Sequence, residues 1–257
     1  MMRATPWILR QPGTSKKFRL FCFSYAGGNA VSFMEWQSAL HPDVTVCAVQ
    51  LPGRGARFHE TPYSRLQELI EALAREIGGM GDLPCAFFGH SLGGLLAFEL
   101  ARYHRRRGLM QPQHLFVSGC HAPRHRVAST GMHLLADDAL IARLAEYRGT
   151  PSEILAHREL MELVLPTIRA DFSLVENYRY ERDPILLGMP VTVLAGKFDS
   201  IESADQVEGW QEETTGHCRV QWFDGDHFFL HPRQQDVIDC IHADLAPWLN
   251  VVERACA

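Results

Sequence analysis

The feature that most constrains the fold is the segment Gly89-His90-Ser91-Leu92-Gly93, which reads G-x-S-x-G. An apolar, aromatic run at residues 85–88 comes before it and predicts a short buried strand. Residues 95–101 follow with apolar side chains at helical spacing. A serine in this setting is held on a tight turn above a parallel sheet, where its hydroxyl can act as a nucleophile. A plain helix cap is the alternative role for Ser91.

Strands and helices alternate on both sides of this segment. Beyond a polar lead-in, strands are predicted at 18–23, 44–49, 114–118, 191–195 and 219–223, and helices at about 32–40, 64–77, 205–213 and 233–249. This alternation predicts an α/β fold with a mostly parallel central sheet and helices on both faces. A chain of 257 residues with 46% apolar content can bury one large core, so we expect a single domain over residues 1–257.

The alternation stops between about residues 121 and 187, where helical patterns dominate. These patterns predict helices at about 137–147, 152–156 and 158–180, the last of which we expect Pro166 to kink or divide. A helical insertion between two strands is best placed over the C-terminal edge of the sheet. We therefore expect it to form a lid. Extra packing with no role in access is the alternative.

A serine nucleophile needs a base to take its proton and an acid to orient that base. Asp199 lies just after the penultimate predicted strand, and His227 lies just after the last one. In the α/β-hydrolase order the acid follows the serine and the histidine comes last, each on a loop after a strand. The sequence therefore predicts Ser91, Asp199 and His227 as a catalytic triad.

Other side chains compete for these roles. Asp226 and the weaker candidate Asp224 are alternatives for the acid, although both stand where the base is expected. His231 lies at the start of the closing helix, and His217 precedes the last strand, at the opposite edge of the sheet. His90 adjoins the serine, and its position favours packing or positioning of the turn.

Backbone amides could complete the site. The N–H of Leu92, directly after the serine, can bind an oxyanion. Gly27 and Gly28 follow an early predicted strand, and two adjacent glycines allow backbone amides to face inward. This is the arrangement that the second half of an oxyanion hole requires. A plain tight turn is the alternative.

Composition excludes several function classes. The net charge of −5 argues against a broad nucleic-acid surface. No apolar run approaches the roughly 20 residues that span a bilayer, and the N-terminus lacks the apolar core of a secretory signal. The seven cysteines are odd in number and form no C-x-x-C pair or Cys/His cluster. We therefore expect no metal site, no membrane partner, and a reducing cytoplasm.

Taken together, these motifs resemble stand-alone (type II) thioesterases of nonribosomal peptide and polyketide synthesis, which are related to the thioesterase of fatty-acid synthesis. The matching segments span almost the whole chain in the family's order, at 23–28, 50–55, 89–94, 168–172, 194–199 and 225–229. Ser24 and Leu92 stand where relatives often have proline and methionine. Neither departure removes a catalytic group, because the oxyanion hole uses backbone N–H.

The resemblance implies that Ser91 is the nucleophile, His227 the general base and Asp199 its orienting acid, with the N–H groups of Ala26 and Leu92 as the oxyanion hole. It implies hydrolysis of acyl groups held as thioesters on the phosphopantetheine arm of an acyl or peptidyl carrier protein. The carrier would be met in trans, for editing or release, with no metal or redox cofactor. We take a monomer as the default.

Three alternatives to this function stay open. A serine esterase or lipase acting on small oxyesters would have the same fold and triad. A binding protein could retain the fold without the chemistry, and acyl transfer or cyclisation would depend on whether the lid excludes water.

Two sets of surface candidates complete the hypothesis. Arg54, Arg57 and the basic run at 105–107 are candidates for contact with an acidic carrier, with solvated surface as the alternative. The aromatic side chains expected to shape an acyl pocket, with core packing as the alternative, are Phe172, Tyr178 and Tyr180.

Overall fold

The computed structural model describes most of the chain, over residues 5–11, 17–125, 131–201 and 204–254. The predictions of a single domain, a lead-in and a helical insertion fall in part outside the described residues, at 1–4, 12–16, 126–130, 202–203 and 255–257. Among the described helices, none combines the length and the apolar character that spanning a bilayer requires.

Within the described residues, seven strands form one sheet in the order β1-β3-β2-β4-β5-β6-β7. They are β1 (Ile8–Leu9), β2 (Phe18–Phe23), β3 (Val44–Val49), β4 (Cys85–His90), β5 (Leu115–Ser118), β6 (Val191–Gly196) and β7 (Cys218–Phe223). Strand β1 pairs antiparallel with β3, and the pairings from β3 across to β7 are parallel. The predicted α/β fold with a mostly parallel sheet is therefore confirmed.

Helices cover both faces of the sheet. They are α1 (Trp36–Ala39), α2 (Leu66–Gly78), α3 (Leu92–Arg106), α4 (Asp137–Tyr147), α5 (Ser152–Leu155), α6 (Arg158–Glu176), α7 (Ala204–Glu208) and α8 (Gln234–Arg254). Single turns of 3₁₀ helix lie at Ala30–Phe33, Gly55–Arg57, Pro123–His125, Met132–Leu134 and Gly209–Glu213. Every residue of β2 to β6 is buried, as expected for parallel strands packed on two sides.

The apolar side chains of β2 show how the two faces divide. Phe21 and Phe23 belong to a core shared with α2 and α3, whereas Leu20 and Cys22 belong to a second core shared with α1 and α8. This is the period-two alternation of a strand. A third, smaller apolar cluster joins α4 and α6 within the insertion.

Some predicted elements were wrong in extent. The lead-in was expected to be irregular, but it contributes β1, whose two residues are too few to show a pattern. The expected helix at 32–40 is a 3₁₀ turn followed by α1, and the one at 205–213 is α7 followed by a 3₁₀ turn. Helix α6 ends at Glu176 rather than near 180, and it runs past Pro166 without dividing.

The first turn of α3 lies against the ends of β4 and β2 at very short range. A Cβ atom on Gly89 would overlap the backbone of Gly93, and one on Gly93 would overlap the carbonyl oxygen of Phe23. Backbone cannot yield as a flexible side chain can. Both glycines of the G-x-S-x-G segment are therefore required by space, even though neither has a positive φ.

We expect Gly93→Ala to lower the free energy of unfolding by more than about 2 kcal/mol, because the new methyl group overlaps backbone. Gly78→Ala is the matched control. A Cβ atom there meets nothing within 4 Å. The control should leave stability unchanged or raise it by up to about 1 kcal/mol. Urea unfolding followed by circular dichroism measures both, and equal stability of the two variants would contradict the packing argument.

Candidate active site

Ser91 occupies a strained backbone conformation between β4 and α3. Its φ of 56° and ψ of −114° fall outside the regions that a residue with a side chain ordinarily adopts. The N–H of Ser91 donates to the carbonyl of Ser118 at 2.8 Å, which fastens the turn to the end of β5. Its side chain makes no capping hydrogen bond to α3. The alternative role as a helix cap is therefore wrong.

His227 and Asp199 meet beside this turn, on the loops that follow β7 and β6. His227 Nδ1 lies 2.7 Å from Asp199 Oδ2, and the N–H of Ile201 donates to Asp199 Oδ1 at 2.8 Å. The two side chains are only 7% and 2% exposed. Because a carboxylate only accepts hydrogen bonds, the pair requires the hydrogen on Nδ1 and leaves Nε2 free to take a proton.

The loops that carry these two side chains are hydrogen bonded to each other. The N–H of Lys197 donates to the carbonyl of Phe223 at 2.9 Å, and the N–H of Phe198 donates to the carbonyl of Gly225 at 3.0 Å. A Cβ atom on Gly196 would overlap the carbonyl oxygen of Asp226. This close approach fixes the separation of Asp199 and His227.

The competing candidates have other partners. The carboxylate of Asp226 accepts the backbone N–H two residues further on at 3.0 Å. Asp224 lies 2.7 Å from Lys197 in an exposed ion pair. His231 Nε2 lies 3.0 Å from the hydroxyl of Tyr25. The carboxylate that reaches His227 is the one predicted from strand order.

His90 is buried behind the pair, with its ring centre 5.2 Å from that of His227. Its Nδ1 lies 2.9 Å from Ser118 Oγ. Burial holds the pKa of His90 well below its usual range, and the repulsion that two protonated rings would exert, with His227 nearby, lowers it further. The packing role expected for His90 is thus confirmed by its burial and its ring contacts, and its low pKa disfavours a charge next to His227.

A cavity of about 340 Å³ opens beside Ser91 and His227. The turn at 25–29 forms part of its wall. Helices α4 to α6 and the loop between α4 and α5 contribute a mainly apolar wall, made by Leu144, Tyr147, Pro151, Ile154, Met161, Val164, Ile168, Phe172 and Val175. The helical insertion therefore lies over the predicted nucleophile, and its function as a lid stays a prediction.

Ala26 and Leu92, whose amides were predicted to form the oxyanion hole, both line this cavity. The N–H of Gly28 donates to the carbonyl of Tyr25 at 2.9 Å, which closes a turn around Ala26. Within the described part of the chain, no group accepts a hydrogen bond from the N–H of Ala26 or Leu92. Both amides are thus available to a bound oxygen, and the predicted hole remains a hypothesis that this geometry supports.

Arg54 and Arg57 are buried, so both the predicted carrier contact and its alternative, a solvated surface, are wrong for them. Arg54 makes two hydrogen bonds of 2.7 Å to Asp171 on α6. Arg57 binds Glu60 at 2.8 Å and lies 4.0 Å from the centre of the Trp7 ring. Both guanidinium groups are paired with carboxylates of the chain itself and are not available to a carrier protein.

The three aromatic candidates for the acyl pocket have different outcomes. Phe172 lines the cavity, as predicted. Tyr178 donates to Glu99 at 2.7 Å and Tyr180 donates to Glu213 at 2.9 Å, and neither lines the cavity. Both tyrosines act as polar packing at the surface of the core. Helical spacing alone could not separate them from Phe172.

The described residues contain no group of three or more His, Cys, Asp or Glu side chains arranged to hold a metal ion.

Comparisons with known proteins agree with one another. The thioesterase domain family matches residues 18–245 of this chain. The gramicidin S biosynthesis protein GrsT of Aneurinibacillus migulanus is 41% identical over 226 residues, or 88% of each chain. The structure of the type II thioesterase BorB from the borrelidin biosynthetic cluster is similar with a TM-score of 0.87 and 33% identity, over 95% of this chain and 100% of that one. The RedJ thioesterase from the prodiginine pathway of Streptomyces coelicolor gives a TM-score of 0.83 and 37% identity, over 90% and 87%.

Asp199→Asn should lower kcat for a soluble acyl thioester by about 10³- to 10⁴-fold, because an amide no longer enforces the hydrogen on His227 Nδ1. Asp224→Asn, which breaks only the exposed pair with Lys197, is the control and should stay within about 2-fold of the wild type. Thiol release measured at saturating substrate gives both values. Turnover by Asp199→Asn at the wild-type rate would exclude this carboxylate as the acid.

Proposed function

The chain belongs to the thioesterase family, and on that premise we propose that it hydrolyses acyl groups held as thioesters on the phosphopantetheine arms of carrier proteins. It does so as an editing or releasing enzyme of polyketide or nonribosomal peptide synthesis. The observation that carries this proposal is the meeting of Ser91, His227 and two unoccupied backbone amides on the wall of one apolar cavity. The matched family model over residues 18–245 supports the same function.

The reaction follows from the proposed roles. Ser91 Oγ attacks the thioester carbonyl while His227 Nε2 takes its proton, and the N–H groups of Ala26 and Leu92 stabilise the oxyanion. The carbon–sulfur bond then breaks, and His227 returns the proton to the departing thiol. Water, activated by the same histidine, attacks the acyl-serine ester and releases the free acid. The protons come from Ser91 and from water, His227 transfers them, and the two amides stabilise the negative charge, so the proposed cycle uses no metal or redox cofactor.

Several observations support a carrier-bound acyl substrate. The relatives BorB and RedJ are described as thioesterases of biosynthetic pathways, and the alignment covers 100% of the BorB chain. The apolar side chains of α6 along the cavity suit an aliphatic acyl chain.

We place the reaction in a reducing cytoplasm, because the described cysteines are free and largely buried, as cytoplasmic thiols are. A monomer is the proposed working form.

We expect carrier-bound acyl thioesters of suitable length to be turned over at least about 100-fold more efficiently than matched small oxyesters, because the family's substrate is the carrier-bound thioester. A panel of acyl chains from short to long, loaded on a phosphopantetheinyl carrier and followed by intact mass, measures this ratio. The free carrier thiol and the acid must appear in equal amounts. Preference for the oxyester with no turnover of the carrier would instead identify a general esterase.

Ser91→Ala should reduce turnover of every substrate in that panel by at least about 10⁴-fold, because no other group supplies the nucleophile. Stability should stay within about 1 kcal/mol of the wild type, since the Ser91 side chain makes no capping bond to α3. Thermal unfolding is the control measurement. A folded Ser91→Ala variant that still releases acid would reject Ser91 as the nucleophile.

A further inference from the structure

Helix α6 holds the turn that carries the predicted oxyanion amide. The N–H of Gly27 donates to Asp171 Oδ2 on α6 at 2.7 Å. Arg54 grips the same carboxylate with Nη1 and Nη2, each at 2.7 Å, and its Nη1 also donates to the carbonyl of Gly28 at 3.2 Å. We propose that Asp171, fixed by Arg54, is a positioning residue that orients the Ala26 N–H toward the reacting oxygen. This inference rests on the proposed function.

The pair is buried, and each ion has more than one hydrogen-bond partner. The Asp171 side chain is 1% exposed and that of Arg54 is 7% exposed. A buried ion pair is costly to form and is favourable only when the geometry is good and further hydrogen bonds satisfy both ions. Here Asp171 accepts from a backbone N–H and a guanidinium, and Arg54 also reaches the backbone of the turn. Such an arrangement leaves the carboxylate one position.

Further hydrogen bonds hold the loop at 50–55 against α6. Thr167 Oγ1 donates to the carbonyl of Gly53 at 2.7 Å. The amide of Gln50 donates to the carbonyl of Arg54 at 2.9 Å and accepts the N–H of Ala30 at 3.2 Å. The helix, the loop at 50–55 and the turn therefore form one hydrogen-bonded unit.

The shape of the turn explains what Asp171 adds. Gly27 has a φ of +75°, as the third position of a type II turn requires, and the Gly28 N–H closes that turn onto Tyr25. A peptide flip to the type I form would turn the Ala26 carbonyl toward Asp171, and two oxygens repel each other. The carboxylate therefore selects one conformer of a turn that glycine would otherwise leave adjustable.

Selection of one conformer has a catalytic consequence. An oxyanion hole accelerates acyl transfer because its donors are already aimed at the developing charge and need no reorganisation. The Ala26 N–H belongs to the Tyr25–Ala26 peptide, which shares the Ala26 Cα with the Ala26–Gly27 peptide that Asp171 holds, so fixing the second peptide restricts the orientation of the first. Loosening the turn should therefore lower kcat and leave substrate binding, which depends on the apolar wall, nearly unchanged.

We expect Asp171→Asn to lower kcat by about 10- to 100-fold, less than the complete loss of one oxyanion donor, with KM changed by less than about 3-fold. The substituted amide keeps one acceptor oxygen, but its NH2 group only donates, so the bidentate contact with the Arg54 guanidinium is lost. Arg54→Lys keeps the charge, loses the forked contact and should lower kcat by about 3- to 10-fold. Asp137→Asn is the control. Asp137 of α4 pairs at 2.5 Å with Arg169 of α6, the helix that also carries Asp171, and it does not touch the turn.

A fluorophosphonate separates positioning from mere structure. Ser91 Oγ displaces fluoride from phosphorus while its proton passes to His227, and intact mass gives both the labelled fraction and the rate. Asp171→Asn should label completely but about 10- to 100-fold more slowly, because the phosphoryl oxygen uses the same amides. A lower labelled fraction with an unchanged rate per labelled site would show damage to folding and would overturn the proposal. A labelling rate and kcat equal to those of the wild type would also overturn it.

The same experiment distinguishes failure of the proposed function. If the wild type is labelled at Ser91 but hydrolyses no acyl thioester, the thioesterase function fails while the labelling rates still test Asp171. If thioesters are hydrolysed and Asp171→Asn matches Asp137→Asn in rate and kcat, the positioning role alone is rejected.

Discussion

The close approach of the first turn of α3 to the ends of β2 and β4 is the constraint on which the rest of the structure depends. It leaves no room for side chains at Gly89 and Gly93, and it forces Ser91 into a backbone conformation with positive φ. Strain of this kind persists only where surrounding contacts hold it, and here the bond from Ser91 to Ser118 on β5 does so. The sheet thus serves as a rigid base from which one hydroxyl projects.

Two buried, hydrogen-bonded pairs of different kinds complete the site on that base. The pair of His227 and Asp199 sets the hydrogen on one ring nitrogen. The pair of Arg54 and Asp171 does no proton transfer and instead holds backbone. Burial favours neutral groups, as the lowered pKa of His90 shows, so charged groups remain buried here only where hydrogen bonds satisfy them. Both pairs therefore restrict geometry more than they add stability.

The sequence predicted what depends on local pattern and on strand order. The contact between Asp199 and His227 could be predicted because each residue follows a strand, and parallel strands end at one edge of the sheet. The buried position of Arg54 could not be predicted, because its partner Asp171 lies 117 residues further along the chain and no local pattern indicates that contact. Strand β1 was missed for a similar reason, since two residues carry no periodicity and only pairing with β3 defines them.

The same contacts limit how the cavity can open. Displacing α6 would separate Asp171 from Arg54 and leave two buried charges unpaired, at a cost of about 3–5 kcal/mol. Helix α5 has no buried residue, so moving it breaks far less. Ile154 of α5 and Ile168 of α6 both line the cavity. The wall formed by α6 is held by the buried pair, and the wall formed by α5 has fewer contacts. The contacts of α5 therefore resist its displacement less than those of α6, whose Asp171 accepts the Gly27 N–H of the Ala26 turn.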